Sequence, residues 1–182
     1  MKEIIRKKYL NIRKQIENKY EKSITICNKI INTKEYQESK YICVYKSLKD
    51  EVNTDEIIKH AISKNKIVVL PRVENDDLML YKITSYDEKL KKSKLGVEEP
   101  LGNFKNLVDK KEIDLVIVPA VCFDKERNRI GFGKGFYDRF LKNANLNTLG
   151  ICFEEQVVKE YLLPVRDNDI KINKVITDKN VY

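Results

Sequence analysis

The chain has 182 residues, of which 42% are hydrophobic and 35% charged, and its formal net charge at pH 7 is +8. This apolar share can supply a hydrophobic core, and the length suits one domain over residues 1–182 better than two domains and a linker. The longest apolar run, residues 115–123, is far shorter than the about 20 residues of a membrane-spanning helix, which excludes an integral membrane protein.

Two amphipathic helices are predicted at the start of the chain. Ser23 is predicted to cap the second of them, which buries Ile24, Cys27, Ile30 and Ile31. In the first helix, apolar residues recur at steps of four, three, four and four positions and so share one face; they are Ile5, Tyr9, Ile12, Ile16 and Tyr20.

Apolar strands and helices then alternate along the rest of the chain. Residues 41–45 form a short apolar run typical of a buried strand. Thr54 is predicted to cap a helix with Asp55 and Glu56 in its first turn, where acidic side chains favour the helix dipole. Further strands are predicted at residues 67–70, 78–83, 113–118, 148–153 and 174–177, and further helices at residues 135–142 and near residues 155–161.

This alternation predicts the fold class. Continuously apolar strands separated by helices are typical of a parallel sheet that is covered on both faces. The short spacing between residues 67–70 and 78–83 predicts one hairpin. We therefore expect an α/β protein, a three-layer α/β/α sandwich with a mostly parallel, mixed central sheet, whose ligands bind beyond the carboxyl ends of the strands.

Cysteine and histidine usage limits the compartment and the chemistry. Cys27, Cys43, Cys122 and Cys152 form no CxxC pair and have apolar neighbours, which predicts buried free thiols in a reducing cytosol. The charged N-terminus lacks the apolar stretch of a secretory signal, so we expect a cytoplasmic protein. His60 is the only histidine, which argues against a histidine-based metal site and a Ser-His-Asp triad.

The positive charge is compatible with nucleic acids or with small anionic ligands. Lysines are scattered through the whole chain and mixed with Asp and Glu. The charge therefore reflects general composition, and by itself it is a weak indication of nucleic-acid binding.

Residues 118–139 carry the strongest chemical signal. Glycines at positions 131, 133 and 135 let the backbone turn sharply and approach a ligand, and Arg127, Arg129 and Lys134 add positive charge. Asp138 follows at the start of a predicted helix, where it can hold a Mg²⁺ that bridges phosphate oxygens. The pattern favours a polyphosphate site over a solvated glycine-rich turn, although it matches neither the P-loop nor the dinucleotide-binding fingerprint.

The same residues resemble a known family. Phe123-Asp124, followed by residues 128–141 with the letters NRIGFGKGFYDRFL, are similar to the signature of the 5-formyltetrahydrofolate cyclo-ligase family. Six further blocks resemble the family in the right order, which is not expected by chance. They are Lys2 to Arg6, Tyr36 to Lys40, Asp50 to Thr54, Leu70 to Arg72, Gly96 to Pro100, and Leu163-Pro164 with Asp169.

The resemblance implies an ATP- and Mg²⁺-dependent ligase. The family converts 5-formyltetrahydrofolate to 5,10-methenyltetrahydrofolate, and ATP becomes ADP and phosphate. The implied partners are ATP and the folate, which can carry a polyglutamate tail. The basic balance of the chain suits both anions. No nucleic-acid or membrane partner is expected, and the chain is expected to be a monomer.

The resemblance also assigns roles by position. It places ATP on Lys2, Glu3, Ile4, Ile5, Arg6, Arg129, Ile130, Gly131, Phe132, Gly133, Lys134, Gly135, Phe136 and Tyr137. It places the folate on Lys46, Glu51, Phe132, Gly133, Lys134, Gly135 and Phe136, with Glu51 bonded to the pterin. The catalytic residues are Lys134, Arg129 and Tyr137, and the Mg²⁺ ligands are Asp138 and Asp169.

Other interpretations of these residues stay open at this point. Glu51 can belong to an acid cluster at a helix N-terminus, Asp169 to a turn, and Lys2 and Arg6 to a solvated helix face. Three residues depart from the family pattern, namely Phe136 for a tyrosine, Asn168 for a histidine and Leu95 for an aromatic residue. The alternative functions are a sugar-phosphate enzyme of similar fold, which would need no Mg·ATP, and a nucleic-acid-binding module.

Overall fold

The computed structural model describes residues 1–94 and 96–182; Leu95, one of the three departures, lies outside them. Five helices are described: α1 (Lys2–Gln15), α2 (Lys19–Ile31), α3 (Lys34–Glu38), α4 (Asp55–Ser63) and α5 (Phe136–Leu141). The strands are β1 (Tyr41–Cys43), β2 (Ile67–Glu74), β3 (Asp77–Ile83), β4 (Leu90–Lys92), β5 (Glu98–Pro100), β6 (Leu115–Pro119), β7 (Cys122–Asp124), β8 (Arg129–Ile130), β9 (Asn147–Ile151), β10 (Val157–Val158) and β11 (Lys174–Ile176). None of the described helices is long and apolar enough to cross a bilayer.

The central sheet has six strands in the order β11-β9-β6-β1-β2-β3. The first five are parallel, and β3 pairs with β2 in the antiparallel direction as the predicted hairpin. Two smaller sheets, β10-β7-β8 and β4-β5, were not predicted, because strands of two or three residues leave almost no periodic pattern.

Alternate residues of the central strands form two separate cores. Ile42 and Ile117 face α2 and α4 on one side of the sheet. Cys43 and Val116 belong to the core on the other side, together with Phe140 of α5. The predicted α/β fold with a mixed sheet covered on both faces is therefore confirmed. All four cysteines are buried and free, as predicted.

A third cluster places α1 beside the glycine-containing segment. Ile5 and Tyr9 of α1 pack on Cys122 and Ile130 of the sheet β10-β7-β8, called the small sheet below, and on Val121 just before it. Because β8 ends at Ile130 and the glycines begin at the next residue, this packing brings the first turns of α1 to the glycine segment.

The buried carboxylate of Asp124 shapes the turn before that segment. One oxygen accepts hydrogen bonds from the backbone amides of Glu126 and Asn128, at 3.0 and 2.9 Å. The other accepts from the Asn128 side chain and from the Leu163 amide, at 2.9 and 2.8 Å. Four donors satisfy this buried charge, and they tie the β7–β8 turn to the chain near Leu163.

The boundaries of the first two helices differ from the prediction. The chain leaves the helical conformation at Ile16 and passes through a left-handed Asn18 before α2 begins at Lys19. Tyr20 therefore belongs to α2 and is exposed, so it is not part of the buried face of α1. Ser23 lies inside α2, where its hydroxyl bonds the carbonyl of Lys19 at 2.6 Å instead of capping the helix.

Two other predictions need correction, and one short helix was missed. The helix near residues 155–161 is a 3₁₀ turn, Glu154–Gln156, which leads into β10. Thr54 does precede α4, but its hydroxyl donates to the carbonyl of Tyr45 at 2.6 Å and does not cap the helix. The short helix α3, capped by Thr33, was not predicted because five residues are too few for a periodic pattern.

Replacing Gly150 of β9 by alanine should destabilise the protein by about 1–3 kcal/mol, the usual cost of overpacking a core. An added Cβ would lie 2.6 Å from Cζ of the buried Phe123 and 3.3 Å from Val175. Urea denaturation measures the loss. The matched control is Gly131→Ala, where a Cβ meets open space, and equal losses in the two variants would contradict the packing argument.

Candidate active site

The glycine loop, which we define as residues 131–135, leaves β8 and enters α5. Arg129 lies just before it with a buried guanidinium that donates to Asp138 Oδ1 at 2.7 Å and to the carbonyl of Ile170 at 2.5 Å. The Ile170 amide bonds the same Asp138 oxygen at 3.0 Å. Both ends of the loop are therefore tied to the chain beside Asp169.

The first turns of α1 close over this loop. Lys2 forms an ion pair with Asp169, and Arg6 Nε donates to the carbonyl of Gly131 at 2.8 Å. The interpretation of Lys2 and Arg6 as a solvated helix face is therefore wrong. Gly133 has a φ of +94°, which favours glycine. A Cβ there would lie 3.1 Å from the Arg6 guanidinium, so a larger residue would also displace Arg6 slightly.

The side chains at the middle of the loop are open to solvent. Phe132 is 49% exposed. Lys134 is exposed, and its ammonium group has no ion pair or hydrogen bond with any residue that the structure describes. Its carbonyl is held by Arg139 at 2.9 Å, and the Arg139 guanidinium also stacks on Phe136, 5.4 Å from the ring centre. The loop thus presents a cation from a backbone that is itself held in place.

Glu51 lies in the loop that follows β1, and its carboxylate is buried. Oε1 accepts from Arg13 of α1 at 3.2 Å, and Oε2 accepts from the Leu48 amide at 2.9 Å. Burial raises the pKa of Glu51 above the usual value of a glutamate, and the Leu48 amide and the Arg13 guanidinium act in the opposite direction. A simple exposed acid cluster at the start of a helix does not describe this residue.

Two tyrosines share the environment of Glu51. Burial, and then the negative charge of Glu51, raises the pKa of Tyr45 well above its usual value. Burial, then Cys43 and then the negative charge of Glu51 raise the pKa of Tyr137 of α5 well above its usual value. Tyr137, predicted from the glycine motif, therefore lies within electrostatic range of Glu51, predicted from a block more than 80 residues earlier in the chain.

Arg13 is a residue of this region that the sequence analysis missed. It donates to Glu51, and its guanidinium lies 5.5 Å from the centre of the Phe132 ring. A signal was present, because Ile5, Tyr9 and Arg13 follow one another at steps of four and all three are buried. A charged residue in line with an apolar row of a helix indicates a buried partner.

The remaining predicted residues make no described contact with Glu51 or Lys134. Lys46 pairs with Asp55 at 2.6 Å and lies 4.8 Å from the Tyr86 ring, so its contacts are with the start of α4. Ile5 and Ile130 are buried between α1 and the small sheet, whereas Glu3 and Ile4 are exposed. Asn168 is also exposed.

Comparison with known proteins assigns the chain to a family. The sequence model of the 5-formyltetrahydrofolate cyclo-ligase family matches residues 1–178. This range includes α1, the glycine loop and residues 44–54 between β1 and α4, which we call the Glu51 loop. The chain belongs to this family. The resemblance seen in the sequence motifs is thereby confirmed, as is the prediction of an enzyme of this class.

Named relatives agree with the family. The chain is 31% identical to a probable 5-formyltetrahydrofolate cyclo-ligase of Schizosaccharomyces pombe, over 87% of this chain and 85% of the relative. It is also 31% identical to the 5-formyltetrahydrofolate cyclo-ligase of Mus musculus, over 88% of this chain and 84% of that one.

Solved structures give the same result for the family's fold. The NMR structure of Aquifex aeolicus 5,10-methenyltetrahydrofolate synthetase superposes with a TM-score of 0.85 at 32% identity, covering 99% of this chain and 91% of that one. A 5,10-methenyltetrahydrofolate synthetase from Mycoplasma pneumoniae shares the fold, with a TM-score of 0.76 at 24% identity over 97% of this chain and 98% of that one.

Proposed function

We propose that this cyclo-ligase family member converts 5-formyltetrahydrofolate to 5,10-methenyltetrahydrofolate, with ATP becoming ADP and phosphate. The observation that carries the proposal is the convergence of α1, the Glu51 loop and the glycine loop, within a chain whose family match spans all three. We further propose that residues 1–182 form one domain that works in the cytoplasm as a monomer.

The chemistry explains why a nucleotide is needed. The formyl oxygen on N5 is a poor leaving group, so N10 cannot displace it directly. Transfer of the γ-phosphoryl group from ATP to that oxygen gives an iminium phosphate and ADP. N10 then attacks the formyl carbon and loses its proton, the C–O bond breaks, and the phosphate leaves with that proton. No protein nucleophile is required, and the protein acts by positioning and by neutralising charge.

The ATP phosphates are proposed to lie along the glycine loop. Lys134 supplies an ammonium group that has no partner among the described residues, and Arg6 and Arg129 are held at fixed positions by their own hydrogen bonds. Lys2 lies at the same end of α1. Cations at fixed positions stabilise charge that spreads over the transferring phosphoryl group, and they need no rearrangement during the reaction.

The acidic residues beside the loop fit a magnesium ion that arrives with ATP. Among the described residues no group of three or more His, Cys, Asp or Glu could hold a metal by itself. Asp138 and Asp169 each use one carboxylate oxygen for protein contacts, and the second oxygen of each has no hydrogen-bond partner in the described part of the chain. Mg²⁺ commonly takes one or two carboxylates and completes its shell with phosphates and water. These two residues would hold it, and it would neutralise phosphate charge.

The folate is proposed to lie on the other side of the glycine loop. The Glu51 carboxylate can accept hydrogen bonds from the N–H groups of a pterin, and the half-exposed Phe132 ring offers an apolar face for it. Tyr137 of α5 is partly buried, and its hydroxyl can donate a hydrogen bond to the reacting groups. Phe136, where the family usually has tyrosine, keeps the aromatic face without the hydroxyl. Lys46, tied to Asp55, is assigned to the folate with the glycine loop residues.

A direct absorbance assay tests the proposal. The purified protein is mixed with 5-formyltetrahydrofolate, MgCl₂ and ATP, and the near-ultraviolet absorbance of methenyltetrahydrofolate is followed. We expect a rise that needs all three components and stops when a chelator removes Mg²⁺. An absent rise, together with an absence of folate binding, would overturn the proposal and favour a phosphosugar enzyme or a nucleic-acid-binding module. The latter would bind with a steep dependence on salt concentration.

A further inference from the structure

Arg13 is a buried cation whose surroundings do not resemble a structural ion pair. It is 5% exposed, and it lies in the last turn of α1 in line with the buried Ile5 and Tyr9. Its hydrogen bond to Glu51 uses one terminal nitrogen at 3.2 Å. Arginine–carboxylate pairs that contribute most to stability are shorter and bidentate, with two parallel N–H···O bonds.

The Nε atom of Arg13 also argues against a purely structural ion pair. Arg13 Nε is buried and has no hydrogen-bond partner among the described residues. Leaving a buried donor without a partner costs free energy, and such a group in a folded protein calls for an explanation. A role in fold stability alone does not explain it, because an apolar side chain at this position would avoid the cost.

The contacts of Arg13 join the two halves of the candidate site. The side chain comes from α1, its hydrogen bond goes to the Glu51 loop, and its guanidinium lies against Phe132 of the glycine loop. Within residues 1–94 and 96–182, Glu51 has one other hydrogen-bond partner, the Leu48 amide. Without Arg13 the carboxylate would be buried with a single hydrogen bond and no nearby cation that bonds to it.

We propose that Arg13 is a positioning residue of the reaction. It keeps the Glu51 carboxylate ionised and oriented for the folate, and its guanidinium supports the Phe132 ring. This inference rests on the proposed function, because it assumes that Glu51 meets the folate. Arg13 itself acts through Glu51 and is not assigned a chemical step.

The charged and titratable groups around Glu51 set the expected pH effect. They are Arg13 from α1, Tyr45 after β1, Tyr137 from α5 and Asp50 in the same loop. Both tyrosines are neutral near pH 7, and Asp50 adds negative charge. Arg13 is therefore the charged group among them that favours the ionised carboxylate, together with the neutral Leu48 amide. A cation at this distance lowers the pKa of a carboxyl group by about one to three pH units.

The test is the pH profile of kcat/KM for the folate in Arg13→Met. We expect the acid limb of the profile to move to higher pH by about one pH unit or more, because Glu51 then protonates more easily. The KM for ATP should stay within about twofold, since Arg13 holds no atom of the proposed phosphate site. Lys14→Met removes an exposed charge from the neighbouring position of the same helix and should leave the profile unchanged. A uniform loss of activity without a shift of the acid limb would overturn the proposal.

Two further variants separate positioning from folding. Arg13→Lys keeps the positive charge, so we expect a smaller shift of the acid limb but a raised KM for the folate, because lysine cannot reproduce the contact geometry. If Arg13→Met does not fold, an unchanged folate KM in Arg13→Lys would contradict the proposal. In a Glu51→Gln background, Arg13→Met should no longer move the acid limb, because the group that titrates is gone.

A spectroscopic readout keeps this proposal distinct from the proposed function. The Glu51 carboxyl carbon is labelled with ¹³C and titrated by NMR in three substrate-free proteins. They are the parent chain, Arg13→Lys and Arg13→Met. A higher pKa in Arg13→Met than in the parent supports the ionisation argument even if no turnover is found. Identical titrations would refute it even if the parent is an active cyclo-ligase.

Discussion

Lys134→Ala should abolish turnover while it leaves the fold and the melting temperature unchanged. Lys134 is exposed and its ammonium group has no partner among the residues that the structure describes, so its removal costs no native contact. In the proposed reaction this ammonium group neutralises the charge of the transferring phosphoryl group. Removing a single such donor commonly lowers kcat by about 100-fold or more. The absorbance assay measures the rate, and thermal unfolding followed by circular dichroism measures the stability.

The control for Lys134 lies nine residues earlier in the same segment. Lys125 is equally exposed, in the β7–β8 turn, and has no proposed role. Lys125→Ala should therefore keep the parent kinetics. Unchanged kinetics in Lys134→Ala would refute the role of this residue, and equal losses in both variants would indicate a general effect of charge.

Glu51→Gln should weaken folate binding more than ATP binding. The substitution keeps the shape of the side chain but replaces an ionised acceptor by a neutral amide. Hydrogen bonds to charged groups contribute about 1.5–3 kcal/mol, so we expect the KM for the folate to rise by about tenfold to a hundredfold. The KM for ATP should change by less than about threefold, because the carboxylate bonds Arg13 and Leu48 and not the glycine loop backbone.

A matched acid on α4 provides the comparison for Glu51. Glu56 is exposed and pairs with Lys59 at 3.1 Å, both side chains being about half exposed. Glu56→Gln should leave both Michaelis constants unchanged, because exposed pairs contribute little. Equal effects of Glu51→Gln on the two substrates would count against the assignment of Glu51 to the folate. Thermal unfolding of both variants separates a loss of binding from a loss of fold, since Arg13 stays buried without its carboxylate partner.

The central strands could be predicted because burial on both faces requires continuous apolar runs. Residues 67–70 and 115–118 are such runs, and both lie in the central sheet. The loop from Ile16 to Asn18 could not be predicted, because apolar spacing continues across it to Tyr20 and no proline or glycine marks the end of α1. The strands β8 and β10, of two residues each, exist only through their pairing with β7, which no local pattern encodes.

For a similar reason, the glycine loop of the candidate site could be predicted and its contacts with α1 could not. The glycine loop is one continuous segment, so the spacing of its glycines predicts sharp backbone turns. The positive φ values of Gly133 and Gly135 agree with this prediction. The contacts of Arg6 with that loop join residues 125 positions apart, and the Arg13–Glu51 pair joins residues 38 positions apart. Such pairs depend on how α1 packs on the small sheet, and that packing is a property of the folded chain.

By itself the sequence determined the α/β fold class and the family, because both depend on local information: apolar runs, turn glycines and an ordered series of motifs. Only the tertiary structure decided the partners of the charged residues. It tied Lys2 to Asp169 and Arg129 to Asp138, and it left Lys134 exposed beside them. It also placed Arg13 with Glu51 in the interior. The physical reason is that the charge of a side chain is fixed by its type, whereas its burial and its partner are fixed by elements that meet only when the chain folds.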